Sequence, residues 1–162
     1  MHRRAALTTL AAAFASAVAG VRADERPPIR WSDIALVDGR TLKARELNGR
    51  PVVVEFWASW CPFCAKQNPF IEKLHREAGD SLRVLTFTID KTEQAARDYL
   101  AKHGYTFPAA MAGAQSDAWF GKRRGLPVVH VVDARGRIVF TEIGEMFEED
   151  VAALMRFAAK SN

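Results

Sequence analysis

Cysteine is nearly absent from this chain: two in 162 residues, both within Trp60-Cys61-Pro62-Phe63-Cys64. There is no third cysteine, and the four histidines form no closely spaced pair. Tetrahedral zinc takes four ligands, usually a second Cys pair or a His pair, so this inventory argues against a zinc site. A long apolar run is also missing. Ala5 to Gly20 is apolar and Ala-rich, but it is shorter than the roughly 20 residues that cross a bilayer. No basic stripe carries interleaved aromatics, which argues against nucleic acid as a partner. No internal repeat is present, and no low-complexity segment lies outside the N-terminal run.

What the N-terminus does hold reads as an export signal. Met1-His-Arg-Arg4 is a short basic start, the apolar run follows, and Val21-Arg22-Ala23 offers small residues at the positions a signal peptidase reads. The expected division is a signal peptide over 1–23 and one domain over 24–162. Cleavage after Ala17 and an uncleaved membrane anchor are the alternatives. No Cys lies near the cleavage site, against a lipoprotein. Arg3-Arg4 is followed by residues that fit Sec export better than a twin-arginine signal. The basic balance comes mostly from this segment. Of 23 Lys and Arg, removing Arg3, Arg4 and Arg22 leaves 20 against 19 Asp and Glu, a net charge of +1. Lys122-Arg123-Arg124 remains as a short basic run, read first as a solvated loop and second as a docking element.

The two cysteines stand between a strand-like and a helix-like segment. Pro51 to Ala58 is apolar, and Ala65 to His75 has helical character. A helix N-terminus favours the thiolate of the first cysteine, and the thiolate is the nucleophile. The second thiol is close enough to displace whatever the first has captured. Cys61 is therefore the expected attacking group and Cys64 the resolving one. An inert structural disulfide is the rival, but it does not require a strand–helix junction. Glu55 lies six residues before Cys61 in the apolar strand. An acid there is costly unless it is functional or reaches water at the strand end.

Along the chain, Asp24 to Arg30 reads as an extended lead-in. Trp31–Leu36 and Thr41–Arg45 form an expected hairpin around Asp38-Gly39. Val52–Trp57 and Leu82–Ile89 are apolar enough for buried strands. The Cys helix runs to about Glu77, with a kink expected at Pro69. Thr92 caps a helix to His103. Thr106–Ala110 is a short strand, Ala112–Ala118 is turn-rich, and Trp119-Phe120 sits on a helical turn. Pro127–Val132 and Arg137–Ile143 are strands joined by Asp133-Ala-Arg-Gly136. Phe147–Lys160 reads as one amphipathic helix with Val151, Leu154, Met155 and Ala158 on one face. This order describes an α/β domain with a mixed central β-sheet flanked by helices.

The sequence resembles the thioredoxin superfamily, and within it the exported TlpA/ResA-type thiol–disulfide oxidoreductases that include the CcmG/DsbE proteins. The resemblance runs from Trp31 to the C-terminus. It rests on Phe56-Trp57-Ala58-Ser59-Trp60-Cys61, on Pro69 five residues after Cys64, on Arg124-Gly125-Leu126-Pro127, and on Val128–Asp133 followed by Gly136. It implies a thioredoxin-like fold with an N-terminal hairpin and a central αβ insert, supplied by Thr92–Ala110. Four positions depart from the pattern. Pro62-Phe63 places Pro first, Gln67 stands where many TlpA-type proteins have Glu, Thr86 stands where thioredoxins have Lys, and Val128 replaces a frequent Thr.

The resemblance also implies roles. Glu55 matches the buried acid that shuttles the proton of the second thiol. Pro127 matches a cis-proline that presents the Leu126 backbone to a client strand. Trp60 and Phe63 offer apolar contact beside the sulfurs, or pack. His75, His103 and His130 are expected to be structural or exposed. No cofactor beyond the Cys61–Cys64 dithiol/disulfide, and no metal, is implied.

The function implied is an exported, monomeric, periplasmic or extracytoplasmic protein disulfide reductase. Its clients are those of cytochrome c maturation or copper-protein assembly, and its electrons come from a membrane thiol donor of the DsbD/CcdA type. The alternatives are an oxidase or isomerase of secreted proteins and a copper-binding metallochaperone. The chain has no room for the helical insertion of DsbA-type oxidases or the dimerisation domain of DsbC-type isomerases. Copper-handling Sco proteins use Cys-x-x-x-Cys plus a His, and no Thr-x-x-Cys of the peroxiredoxin kind precedes the first helix.

Overall fold

A computed structural model describes residues 26–159. The expected signal peptide over 1–23 lies outside them, as do the last three residues.

Five strands form the central sheet in the order β5-β4-β3-β6-β7. They are β3 (Val52–Trp57), β4 (Arg83–Thr88), β5 (Ala109–Met111), β6 (Val128–Val132) and β7 (Ile138–Ile143). β3, β4 and β5 run parallel; β6 is antiparallel to β3, and β7 to β6. β3 and β6 are buried along their whole length, as continuous apolar runs between two covered faces must be. On one face α2 (Pro62–Ala78) packs with Val53, Trp57, Ile71, Leu74 and Leu154. On the other, Val52, Val54, Phe56, Leu85, Phe87 and Phe120 form a second cluster. α3 (Glu93–His103) and β5 stand where the resemblance places its insert. Thr92 caps α3, its hydroxyl accepting from the Ala95 N–H at 3.2 Å.

The small hairpin is shorter than its pattern predicts: β1 is Ile34–Ala35 and β2 is Thr41–Leu42. The second arm gives way to the helical turn α1 (Ala44–Leu47). Asp33 causes this, accepting from the Ala44 N–H at 2.9 Å and from Lys43 Nζ at 2.9 Å. The Ala44 N–H and then the Lys43 ammonium hold the Asp33 carboxyl below its ordinary range. A further correction falls on the turn-rich segment, which is the helix α4 (Ala114–Phe120). The Ser116 hydroxyl accepts from the Gly113 N–H at 3.0 Å, and Trp119 and Phe120 pack against Trp31. Tertiary contacts thus hold a helix that local propensity leaves unmade.

The C-terminal helix is also two pieces. α5 (Glu148–Ala152) passes into a 3-10 helix over Ala153–Phe157. The tighter winding buries Leu154 and turns Met155 outward, where a single α-helix would group them. α2 itself runs unbroken through Pro69. At the far end of the sheet Gly136 has φ +81°, and a Cβ there would stand 2.4 Å from the Ile29 carbonyl oxygen. That close approach lets the Ile29 N–H donate to Gly136 and ties the lead-in to the β6–β7 turn.

Candidate active site

The strand β3 ends at Trp57, and Ala58-Ser59-Trp60 turns the chain into α2. Asp90, just past β4, holds this turn. Its carboxylate accepts from the Ser59 hydroxyl at 2.8 Å, from the Ser59 N–H at 3.2 Å and from the Thr88 hydroxyl at 2.7 Å. Cys61 is the N-cap of α2 and Pro62 opens its first turn, where a missing N–H costs nothing. Cys61 and Cys64 form a disulfide with their Cα atoms 5.2 Å apart. The Cys64 N–H donates to Cys61 Sγ at 3.2 Å, so the first sulfur sits at the N-terminus of the helix and accepts from its first turn. Cys61 is 4 % exposed and Cys64 fully buried.

Beneath the helix start lies Glu55, with no exposed surface. The solvated strand-end alternative therefore fails. Glu55 is paired in register with Thr86 and Val129 and shares a face of β3 with Val53 and Trp57. Gln67 Nε2 donates to Glu55 Oε1 at 2.7 Å, while Glu55 Oε2 has no partner. Burial pushes the carboxyl up to about 8, against the opposing pull of the Gln67 amide. Thr86 gives no help: its hydroxyl accepts from Trp57 Nε1 at 3.0 Å and donates to the Pro108 carbonyl at 3.1 Å.

Gln67 is a contributor that the sequence reading noted only as a departure. It is fully buried, and its Oε1 accepts from the Met146 N–H at 2.6 Å. That bond fixes the amide's orientation, so Nε2 must face Glu55. Gln67 follows Cys64 by one helical turn, and residues three apart on a helix are neighbours on one face. The buried carboxyl, the Gln67 amide and the second sulfur thus share one side of α2. The available signal was a polar residue on the buried face of a Cys-bearing helix.

Above the sulfurs, a groove of about 620 Å³ is lined by Trp60, Cys61, Phe63, Ile89 and Leu126, with Lys122 and Arg123 at its side. Trp60 and Phe63 are 65 % and 52 % exposed, which is open apolar surface rather than core. The Leu126–Pro127 peptide is cis, and the Pro127 carbonyl accepts from the Gly144 N–H at 2.9 Å. The histidines do not join the site. His130 faces the second cluster with Nδ1 2.8 Å from the Thr141 hydroxyl, His75 is half-buried, and His103 stacks on Tyr105. Among the described residues no group of three or more His, Cys, Asp or Glu is placed to hold a metal ion. No helix among them is long and apolar enough to cross a membrane.

Known proteins resemble this chain in sequence and fold. The thiol-disulfide oxidoreductase ResA of Bacillus anthracis is 25 % identical over 123 residues, covering 74 % of this chain and 70 % of its own. The thioredoxin-like protein YneN of Bacillus subtilis is 25 % identical over 118 residues, covering 71 % and 69 %. Among solved structures, a thioredoxin-family thiol:disulfide interchange protein from Chlorobium tepidum superposes with a TM-score of 0.73 at 24 % identity. That match covers 84 % of this chain and 99 % of the other, and it is a likeness of fold. The profile of the Redoxin family matches residues 22–155. A sheet, a helix-capping disulfide and a profile spanning nearly the whole described chain agree, and the chain belongs to the Redoxin family, as a thiol–disulfide oxidoreductase with a thioredoxin-like fold and similarity to ResA.

Proposed function

We propose that this protein reduces disulfides of specific extracytoplasmic client proteins, with Cys61 as nucleophile, Cys64 as resolving thiol and Glu55 as the proton carrier between them. The observation that carries this is a fully buried carboxyl with one unpartnered oxygen, on the side of α2 that bears Cys64.

The chemistry balances over two exchanges. The Cys61 thiolate attacks one sulfur of a client disulfide, forming a mixed disulfide and releasing the client's other sulfur as a thiolate. Cys64 then gives its proton to the Glu55 carboxylate and attacks Cys61 Sγ. The second client sulfur leaves, takes up a proton from solvent, and Cys61–Cys64 is oxidised. Two electrons have passed to the client. An external dithiol donor returns them by the reverse path, with neutral Glu55 giving its proton back to Cys64. Burial brings the Glu55 carboxyl up to about 8, towards the range of thiols, which lets it take a proton from Cys64 and give it back.

Trp60, Phe63 and Leu126 are the residues we assign to client contact, with Pro127 shaping the loop that carries Leu126. The basic and apolar N-terminal segment supports an extracytoplasmic location. A membrane thiol donor, clients of cytochrome c maturation or copper assembly, and a monomeric state complete the reading.

Three measurements test it. In the reduced protein Cys61 should be alkylated first near neutral pH. Cys64→Ala should accumulate mixed disulfides through Cys61, and Cys61→Ser should abolish turnover. Equilibration with glutathione should give a potential closer to about −270 mV than to about −120 mV. Faster alkylation of Cys64 reverses the roles, and a potential near the upper value makes the protein an oxidase.

A further inference from the structure

The groove beside Cys61 carries a charge asymmetry that disulfide exchange does not use. Its floor is apolar: Trp60, Phe63, Ile89 and Leu126. Its one acidic side chain, Asp117, is occupied by Arg123 at 2.6 Å. Arg123 is further held over the Phe56 ring, 4.9 Å from its centroid. The remaining charge is Lys122, which is exposed and forms no ion pair among the described residues. A second cavity of about 170 Å³ shares Lys122 and Arg123 and adds Arg26 and Arg124, and among the described residues no acidic one lines it. Arg124 is also exposed and without an ion pair among the described residues.

Several surface cations elsewhere are paired. Arg40, Lys43, Lys73, Arg83 and Arg137 each meet an Asp or Glu within 3.1 Å. Lys122 lines the groove over Cys61, and Arg124 follows it by two residues and lines the adjoining cavity. Their segment joins α4 to the Leu126–Pro127 bond, so the cations sit on the backbone that forms one wall of the groove.

We propose that this face selects client segments that are acidic: a polypeptide with a large apolar residue beside its reactive cystine, and with Asp or Glu side chains that meet Lys122 and Arg124. The inference rests on the disulfide-exchange reading and names the substrate class of that site. Such pairs are rim contacts, worth little each in tight binding, but they steer encounter and suppress partners of the wrong sign.

The test uses the reduced full chain and synthetic cystine peptides of one length, with the same aromatic residue beside the cystine. Their flanks are acidic, neutral or basic. The acidic peptide should react about 3- to 10-fold faster than the basic one, from two rim pairs. The ratio should fall towards unity at 1 M salt, where the screening length is about 3 Å. Lys122→Glu/Arg124→Glu should invert the order, slowing the acidic peptide and speeding the basic one. An acidic peptide without cysteine should compete with the wild-type reaction, which keeps the test independent of the variant. Equal rates for the two charged peptides, or an order that the double variant leaves standing, overturns the proposal. Equal competition by inorganic phosphate at matched charge overturns the peptide assignment in favour of a small-anion site. Reaction with none of the peptides removes the disulfide-exchange reading itself, and reaction with all three equally removes only the charge preference.

Discussion

α2 contacts two buried carboxyl groups, Glu55 from the sheet beneath it and Glu72 on its own face. Their environments push them in opposite directions. Glu72 accepts from the Thr106 N–H at 2.7 Å, the Thr106 hydroxyl at 2.7 Å, the Phe107 N–H at 3.1 Å and Arg76 Nε at 2.5 Å. Burial raises its carboxyl, but these donors outweigh burial and leave it below its ordinary range. Glu55 has one donor, Gln67, and burial leaves it near 8. Glu72 stays ionised and clamps α2 to the segment entering β5. Glu55 is poised to change its charge. Burial is common to both; the number of donors decides which carboxylate is held ionised and which is raised to about 8, as the proposed proton carrier requires.

The largest effect expected is on Glu55. Glu55→Gln keeps the shape and removes the base, so release of mixed disulfides should slow about 10²-fold near pH 8. In the wild type that step should accelerate as pH rises through about 8, and in the variant the acceleration should vanish. Rapid-quench release kinetics with Cys61 alkylation as the control separate the two steps. Stability follows the same residue. Glu55 is raised on folding, so above its unfolded value the native state binds more protons than the unfolded state, and stability falls between about 4.5 and about 8. Oxidised Glu55→Gln should therefore be more stable than wild type at pH 8–9, by on the order of a few kcal/mol, and nearly equal to it at pH 4–5. Equal Tm differences across that range would place Glu55 in contact with water.

Glu72→Gln should do the reverse. Its folded carboxyl is lowered, so its contribution is present above the unfolded value and is lost as pH falls through the folded one. Loss of charge-assisted bonds should cost about 3 kcal/mol at pH 7, read by denaturant midpoint, with the rate of disulfide release unchanged. A change in release rate would merge two sites that the geometry separates.

Gln67→Leu tests the link between them and the C-terminal region. It leaves the Met146 N–H unpaired at a cost of about 1–3 kcal/mol. It also removes the one donor to Glu55, so the pH at which release accelerates should move upward. A pH profile that stays in place would show that the amide serves only packing. The smallest effect expected is Thr92→Ala, which removes the α3 cap for about 1 kcal/mol and should leave the pH profile untouched.

Much of the fold was legible because the central elements declare themselves locally. Val52–Trp57 and Val128–Val132 are unbroken apolar runs, and strands buried on both faces need no other signal. Cys61-Pro62 marks a helix start by the cap and by the proline at the first turn. The edges were less legible. Thr41–Arg45 reads as a strand until Asp33 caps Ala44, and Ala112–Ala118 reads as turn until Trp31 covers Trp119. Both depend on residues distant in the chain.

The candidate reacting pair was legible in the sequence, since two cysteines with two residues between them at a strand–helix junction leave few other chemistries. An acid in an apolar strand likewise marked Glu55 without coordinates. The tertiary structure decided what that acid is. Register with Thr86 and Val129 buries it, Trp57 and Pro108 claim the Thr86 hydroxyl, and Met146 turns the Gln67 amide towards it. The groove over Cys61, with Lys122 and Arg124 near its wall, also exists only once α4 and the Pro127 loop are brought beside α2. Bond-forming capacity is written in residue types. A proton's affinity and a surface's charge are sums over neighbours, and only folding supplies the neighbours.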